Sequence, residues 1–315
     1  MKLCKILLPL LLLAGCHGQS KKATGAWLNE NNVRVAIDAS FQSVMDGIVS
    51  AYGYKNVEAS VSSIYTSEDS VLWLLKKDSV RCAIATRPLT QDEKDFIKAT
   101  YKLTARQQII AYDAFALIVN KACSDTVITT AEIRDIVSGK ITRWEQLSHS
   151  KRKGELHLLF DQSGSSTVRF MRDSLCHGQE LKGNIYAQGS HLSVIEAVRQ
   201  RTDVIGVVST DWLRSSGTSA MTNFRDLDVR VMLVSRGNSP EQLSHICRPY
   251  QYYIATGEYP LIRAVYAINT DPRPQSKQSL FYYFVKGDKG QRIICNDSQL
   301  LPYLSVQIRD VYVHD

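Results

Sequence analysis

The 315-residue chain has little that would place it in a membrane or on a nucleic acid. Its apolar run Ile6 to Leu13 is too short to span a bilayer, which takes about 20 residues as a helix. Its seven histidines are dispersed without metal-ligand spacing, so no metal is expected, and nothing implies a cofactor. Its basic residues are scattered and do not interleave with aromatics on one face, which argues against nucleic acid. Internal repeats and low-complexity blocks are absent. Beyond Cys4 and Cys16 there are five cysteines, Cys82, Cys123, Cys176, Cys247 and Cys295, an odd set that cannot all pair internally. Cys82 lies in the apolar run Val80 to Ala85 and reads as a small core residue. What remains is 44% hydrophobic and 22% charged, the composition of an ordinary globular protein long enough for two cores.

The chain begins with an address. Lys2 and Lys5 precede Ile6 to Leu13, and Leu13-Ala14-Gly15-Cys16 follows. This is the layout of a secretory signal over residues 1–15, and its last four residues resemble a bacterial lipobox. That resemblance implies cleavage before Cys16, acylation of its thiol, and a polar tether over residues 16–32 facing the periplasm. Removing residues 1–15 takes away two lysines and no acids, so the formal charge falls from +7 to +5. Such a mild excess suits a cleft for small anions.

The stretch Leu156 to Met171 carries the chemistry. A buried strand, LHLLF, runs through DQSGSS into an amphipathic helix. A helix N-terminus presents unpaired N–H groups and partial positive charge, so Ser163, Gly164, Ser165, Ser166 and Thr167 would surround an oxyanion with neutral donors, or else simply cap the helix. Two further units repeat the layout. Val33 to Ile37 ends at Asp38-Ala39-Ser40-Phe41 before a helical pattern through Val44, Met45, Ile48 and Tyr52, and Val80 to Ala85 ends at Thr86-Arg87-Pro88. Thr90 to Glu93 is a capping box, and Ile109 to Val119 is a long strand-like segment suited to crossing between lobes, with Val229 to Val234 as a second candidate crossing. His191 to Arg201 and Leu280 to Val285 read as helical, Val204 to Val208 and Arg263 to Ile268 as strands, and Lys286 to Gln291 as a link. Alternating strands and helices predict an α/β protein with largely parallel sheets, whose ligands sit beyond the carboxyl ends of the strands. Ser40, Thr86, Arg87 and the Ser163 to Thr167 turn all lie at such ends.

Taken in order, these segments resemble the PstS-like periplasmic phosphate-binding proteins of ABC transporters. The resemblance rests on Ala39-Ser40-Phe41, Ala83 to Leu89, Ile110 to Asn120, Thr130 to Trp144, Ser163 to Thr167 with Phe170, Val204 to Val208, Tyr259 to Arg263, and Gly290-Gln291. It implies a type II periplasmic-binding fold with two lobes and a ligand cleft at a two-crossing hinge. Lobe one would hold residues 30–112 and 236–315, and lobe two residues 113–235. The family's hydroxyl and backbone donors map onto Ser40, Phe41, Thr86, Arg87, Ser165 and Thr167. Two departures stand out: Asp161 occupies the position of the family's phosphate-clamping arginine, and Ser166 that of a loop glycine. A further acid, Asp38, stands near the first turn.

The expectation is a lipid-anchored solute-binding protein of the periplasm that takes a small oxyanion, phosphate first, and delivers it to an inner-membrane ABC permease. A non-transport envelope protein that uses the scaffold as a sensor or assembly partner is the alternative, motivated by Asp161. An enzyme is not expected: Ser148 to Lys151 matches S-x-x-K without a following K-T-G.

Overall fold

The computed structural model describes residues 32–56, 60–213, 224–237, 243 and 245–304. The signal segment, Cys16 and the tether up to residue 31 lie outside the described residues.

The first half of the chain runs β1 (Asn32–Asp38), α1 (Gln42–Lys55), β2 (Ser60–Thr66), α2 (Glu68–Lys76), β3 (Cys82–Ala85), α3 (Gln91–Tyr101), β4 (Arg106–Asn120), β5 (Val127–Thr129) and α4 (Thr130–Val137). There follow β6 (His157–Phe160), α5 (Ser166–Phe170), β7 (Ile185–Ala187), α6 (His191–Gln200), β8 (Val204–Ser209), β9 (Val229–Val231) and β10 (Leu233–Ser235). The chain then forms α7 (Gln251–Ala255), β11 (Ile262–Asn269), α8 (Lys277–Lys286), α9 (Asp288–Asp297) and β12 (Leu301–Pro302). Local chemistry accounts for several boundaries. Thr90 and Glu93 close the expected capping box on α3, and Thr129 with Glu132 closes another on α4.

Ten strands form one mixed, curled sheet in the order β2-β1-β3-β11-β4-β8-β6-β7, with β9 and β12 also paired to β4. The expectation of largely parallel sheets is corrected here. Parallel pairing holds at the flanks, β2-β1-β3 on one side and β8-β6-β7 on the other, whereas the central pairs β3-β11, β11-β4 and β4-β8 are antiparallel. The reason is that the central strands carry the chain from one lobe to the other. β4 pairs with β11 from Arg106 to Ala114, then with β8 from Phe115 to Ile118, so a single strand belongs to both lobes.

The return crossing differs from the candidate at Val229 to Val234. β9 stays on the second half of β4 and β10 pairs with β5, while Cys247, Ile254, Tyr259 and Leu261 pack in one core with Phe115, Ile133 and Phe160. The chain rejoins the first lobe only at β11, where Leu261 accepts from the Phe115 N–H at 2.9 Å and Tyr259 donates to the Phe115 carbonyl at 2.6 Å. The expected link at Lys286 to Gln291 is also shorter than its polar residues suggest. α9 starts at Asp288 with only Gly287 between the helices, and Gly290 lies so close to the Val285 carbonyl that a Cβ would stand 2.3 Å from it.

Each lobe buries apolar faces on both sides of its part of the sheet. In lobe one, Val35, Ile37, Ile48, Ile84 and Phe281 fill one side and Ala36, Leu72, Ala83 and Ile97 the other. In lobe two, Leu117, Ile133 and Leu158 fill one side and Ile118, Leu159, Val194 and Val208 the other. Cys82, Cys123, Cys176 and Cys247 are buried, and all five described cysteines are free thiols. Among the described residues no helix is long and apolar enough to cross a membrane.

Candidate functional site

The outlet of β1 is folded by Asp38, whose Oδ1 accepts from the Ser40 N–H at 2.9 Å and draws Ala39–Phe41 into a tight turn ahead of α1. Ser40 is fully buried there. Its Oγ stands 3.1 Å from His191 Nε2 and 3.5 Å from Ser166 Oγ, while its carbonyl accepts from Trp212 Nε1 at 2.8 Å. His191, Ser166 and Trp212 all belong to lobe two. The turn after the first strand is therefore held against the opposite lobe by three side chains.

The outlet of β6 supplies the facing wall. Asp161 is buried and its Oδ1 accepts from Ser165 Oγ at 2.7 Å, while Ser165 Oγ itself caps α5 by accepting from the Val168 N–H at 3.3 Å. Asp161 Oδ2 stands 3.6 Å from His191 Nε2. Ser166 and Thr167 are fully buried, and Thr167 Oγ1 has no hydrogen-bond partner among the described residues. Ser163, by contrast, is exposed, and Gly164 lies against lobe one, where a Cβ would come within 3.4 Å of Asp69 Oδ2.

Between the two walls lies Arg263, the first buried residue of β11. Its Nε and Nη2 meet Asp113 Oδ2 at 2.9 and 2.8 Å, and its Nη1 donates to Ser166 Oγ at 2.6 Å. The guanidinium sits over the rings of Phe115 and Phe41, 4.1 and 5.2 Å from their centroids. Asp113, the one acid within β4, also accepts from Ser209 and Thr210 at 2.9 and 3.2 Å. Phe41 thus enters the site as a ring beneath the cation.

Thr86 and Arg87 are engaged differently from the expectation. The Thr86 N–H and hydroxyl both donate to Glu68 Oε1 at 2.7 Å, and Thr86 Oγ1 accepts from Arg169 Nη2 at 2.8 Å. Arg169 also pairs with Glu68, so this cluster ties α5 of lobe two to α2 and β3 of lobe one. Arg87 does not supply the cleft's cation. Both its Nη atoms are bound by the carboxylate of Glu93, at 2.8 and 3.0 Å, the acid that closes the α3 capping box.

Electrostatics sharpen the picture. Burial pushes Asp38 up to about 6, with Arg263 opposing. Burial pulls His191 below the ordinary imidazole value, offset in part by Asp161. Burial also acts to raise Glu68, but the Arg169 guanidinium and the Thr86 donors outweigh it and hold the carboxyl low. The hydrogen bonds from Arg87 hold Glu93 down at about 2.

The residues expected at the site thus separate into two groups. Ser40, Phe41, Asp161, Ser165, Ser166 and Thr167 converge, while Ser163 is exposed and Thr86 and Arg87 are held by acids. Arg263, Asp113, His191 and the Glu68–Arg169 pair were not singled out from sequence as site residues. Arg263 had a signal, an arginine opening an apolar strand in the Tyr259 to Arg263 segment. His191 had only its place at a helix start.

Comparison with known proteins follows the same lines. Solved structures with this fold include a putative phosphate ABC transporter substrate-binding protein with bound phosphate from Clostridium perfringens, at a TM-score of 0.67 and 18% identity over 87% of this chain and 100% of that one. An ABC-type phosphate transport receptor from Vibrio cholerae superposes with a TM-score of 0.62 at 18% identity, over 83% and 96% of the two chains. Among curated proteins, phosphate-binding protein PstS 2 of Streptococcus agalactiae is 29% identical over 128 residues, 40% of this chain and 41% of its own length. Phosphate-binding protein PstS of Staphylococcus epidermidis is 21% identical over 66% of this chain and 59% of its own. The chain therefore spans about two fifths of the first of these relatives and under two thirds of the second. The model of the PBP superfamily domain matches residues 21–286. With two lobes sharing one strand and the family model matched over most of its length, the chain belongs to the PBP superfamily.

Proposed function

We propose that this protein is a substrate-binding protein that closes its lobes over a small oxyanion, phosphate first, and passes it to an ABC-type permease. The observation that carries the reading is Arg263, a buried guanidinium that reaches from the β11 crossing to Ser166 of lobe two, between the Ser40 and Ser165 turns. A fixed cation ringed by hydroxyls suits an oxyanion, whose oxygens accept from both kinds of donor. The phosphate-binding names of the curated relatives support the same ligand. Ser40, Ser165, Ser166, Thr167 and Arg263 would be its donors, and no catalytic step is assigned. We further propose that Cys16 carries lipid and holds the protein in the envelope, facing the periplasm. We propose that lobe two ends near residue 261 rather than at 235, a reading supported by the packing of Cys247, Ile254, Tyr259 and Leu261 in its core.

A second reading has its own support. Asp161 puts a carboxylate inside the cradle, and this favours a sensor or assembly role in the envelope, with the anion site weakened. Adjacent permease genes favour transport; genes for another envelope assembly favour the second role. Calorimetry of the unlipidated protein against phosphate and sulfate tests the ligand. A saturable phosphate isotherm is expected, and its absence under conditions where the protein is folded would remove the transport reading.

A further inference from the structure

The buried charges of the cradle do not balance. Asp38, Asp113 and Asp161 face one guanidinium, that of Arg263, because Arg169 is matched by Glu68. An anion that enters therefore meets two carboxylates without a compensating cation. One side chain at this position can change that count, and it bridges the lobes. His191, 2% exposed at the first turn of α6, touches Ser40 of lobe one at 3.1 Å and Asp161 of lobe two at 3.6 Å through the same nitrogen, Nε2. Its other nitrogen, Nδ1, is buried and has no hydrogen-bond partner among the described residues.

Resting on the anion-binding reading above, we propose that His191 is a ligand-binding residue that takes up a proton together with the anion, the imidazolium replacing the cation that Asp161 displaces. A neutral imidazole has one donor nitrogen and an imidazolium has two. In the neutral form Nε2 serves Ser40 or Asp161, and Nδ1 has nothing to bind. In the charged form Nε2, the nitrogen that faces Ser40 and Asp161, is fixed as a donor at the wall an oxyanion would meet. The surroundings fit this exchange. Burial keeps the ring neutral before the anion arrives, while Asp161 at the β6 outlet and Asp113 on β4 favour the charged ring and Arg263 on β11 opposes it. Asp38 on β1 lies across Ser40, whose N–H it binds. In the turn that carries Trp212, packed 5.7 Å from the imidazole, Asp211 accepts from the Val44 and Gln299 N–H groups. On α6 itself Glu196 is exposed and paired with Arg199. An incoming anion adds negative charge beside the ring and tips the balance toward protonation. The ligand class that follows is a small oxyanion bound more tightly in mild acid.

The test is phosphate calorimetry on the unlipidated protein and on His191→Gln, each in buffers of different ionisation enthalpy between about pH 6 and about pH 8, the interval in which a histidine titrates. Phosphate's own titration is common to both proteins and cancels in the difference. The expected result is that the wild type takes up close to one proton more per phosphate than His191→Gln. Its affinity should then fall by up to roughly tenfold more per pH unit on the alkaline side. In the wild type itself, the His191 imidazole resonances should move toward the protonated form on saturation with phosphate, a readout that survives if the variant fails to fold. Equal proton uptake by both proteins, or loss of the uptake in Asp38→Asn alone, would overturn the role of His191 and leave the anion-binding reading standing. No phosphate binding at any pH would remove both.

Discussion

Asp161 accepts a hydrogen bond from Ser165 and lies beside His191, so its charge acts inside the cradle. Two unit charges about 4 Å apart interact by roughly 1 kcal/mol in water and about 4 kcal/mol at an effective dielectric near 20. Asp161→Asn keeps an acceptor for Ser165 while removing the charge. It should tighten phosphate binding by at least about tenfold, read from the isotherm. The two arginines divide in the opposite sense to what strand position alone suggests. Arg263→Lys, which loses the fork held by Asp113, should weaken phosphate by tenfold or more, whereas Arg87→Ala should leave the isotherm close to wild type and affect the cap of α3. Asp38 offers a pH-dependent check. Its folded-state value of about 6 lies above the ordinary 3.8, so below both values the group is neutral in folded and unfolded chains and contributes nothing. As pH rises from about 4 to about 6 the unfolded chain loses the proton first, and the folded state is progressively disfavoured. Asp38→Asn should therefore stabilise the protein near pH 7, by at most about 3 kcal/mol, and not near pH 3, as chemical denaturation at the two pH values would report. The hydroxyl-bearing turns were legible in the sequence because residue type and a strand outlet suffice to propose them. Arg263 and His191 were not, because their partners Asp113 and Ser40 stand 150 and 151 residues away and only the topology brings them together.

At the scale of elements, α6 aims His191, and its seat on the sheet depends on one glycine. A Cβ on Gly206 would lie 2.7 and 2.8 Å from the methyls of Val194 and Val198, so the helix packs directly on the backbone of β8. Gly206→Ala should cost about 1–3 kcal/mol in a thermal or denaturant melt, as overpacking in a close contact does. The helix must shift, and phosphate affinity should fall with it. The helices and strands themselves were readable from period and caps: α3 carries its capping box where Thr90 to Glu93 predict it. Strand direction was less so. A buried strand reads as the same apolar run whether its neighbour is parallel or antiparallel, so the antiparallel centre of the sheet had no local signature. The return crossing was hidden for a related reason, since β9 and β10 have the composition of crossing strands yet pair within lobe two.

For the whole molecule, the lobes are drawn together by the Arg169–Glu68–Thr86 cluster and by the contacts of Ser40 with His191, Ser166 and Trp212. Arg169→Ala leaves Glu68, 1% exposed, without its cation, a change that costs about 3–5 kcal/mol in buried pairs. The folded variant should favour open lobes and bind phosphate more weakly, with Arg169→Lys between it and the wild type. At the N-terminus, Cys16→Ser should abolish detergent-phase partitioning and Cys82→Ser should not, since Cys82 is a buried thiol of the lobe-one core. Two crossings between the lobes allow the proposed closure over the anion to proceed as a rigid-body hinge motion. The most direct measurement is solution scattering of the unlipidated protein during a phosphate titration followed in parallel by calorimetry. The radius of gyration should fall along the binding isotherm and level off at saturation. An unchanged radius with phosphate calorimetrically bound would contradict closure.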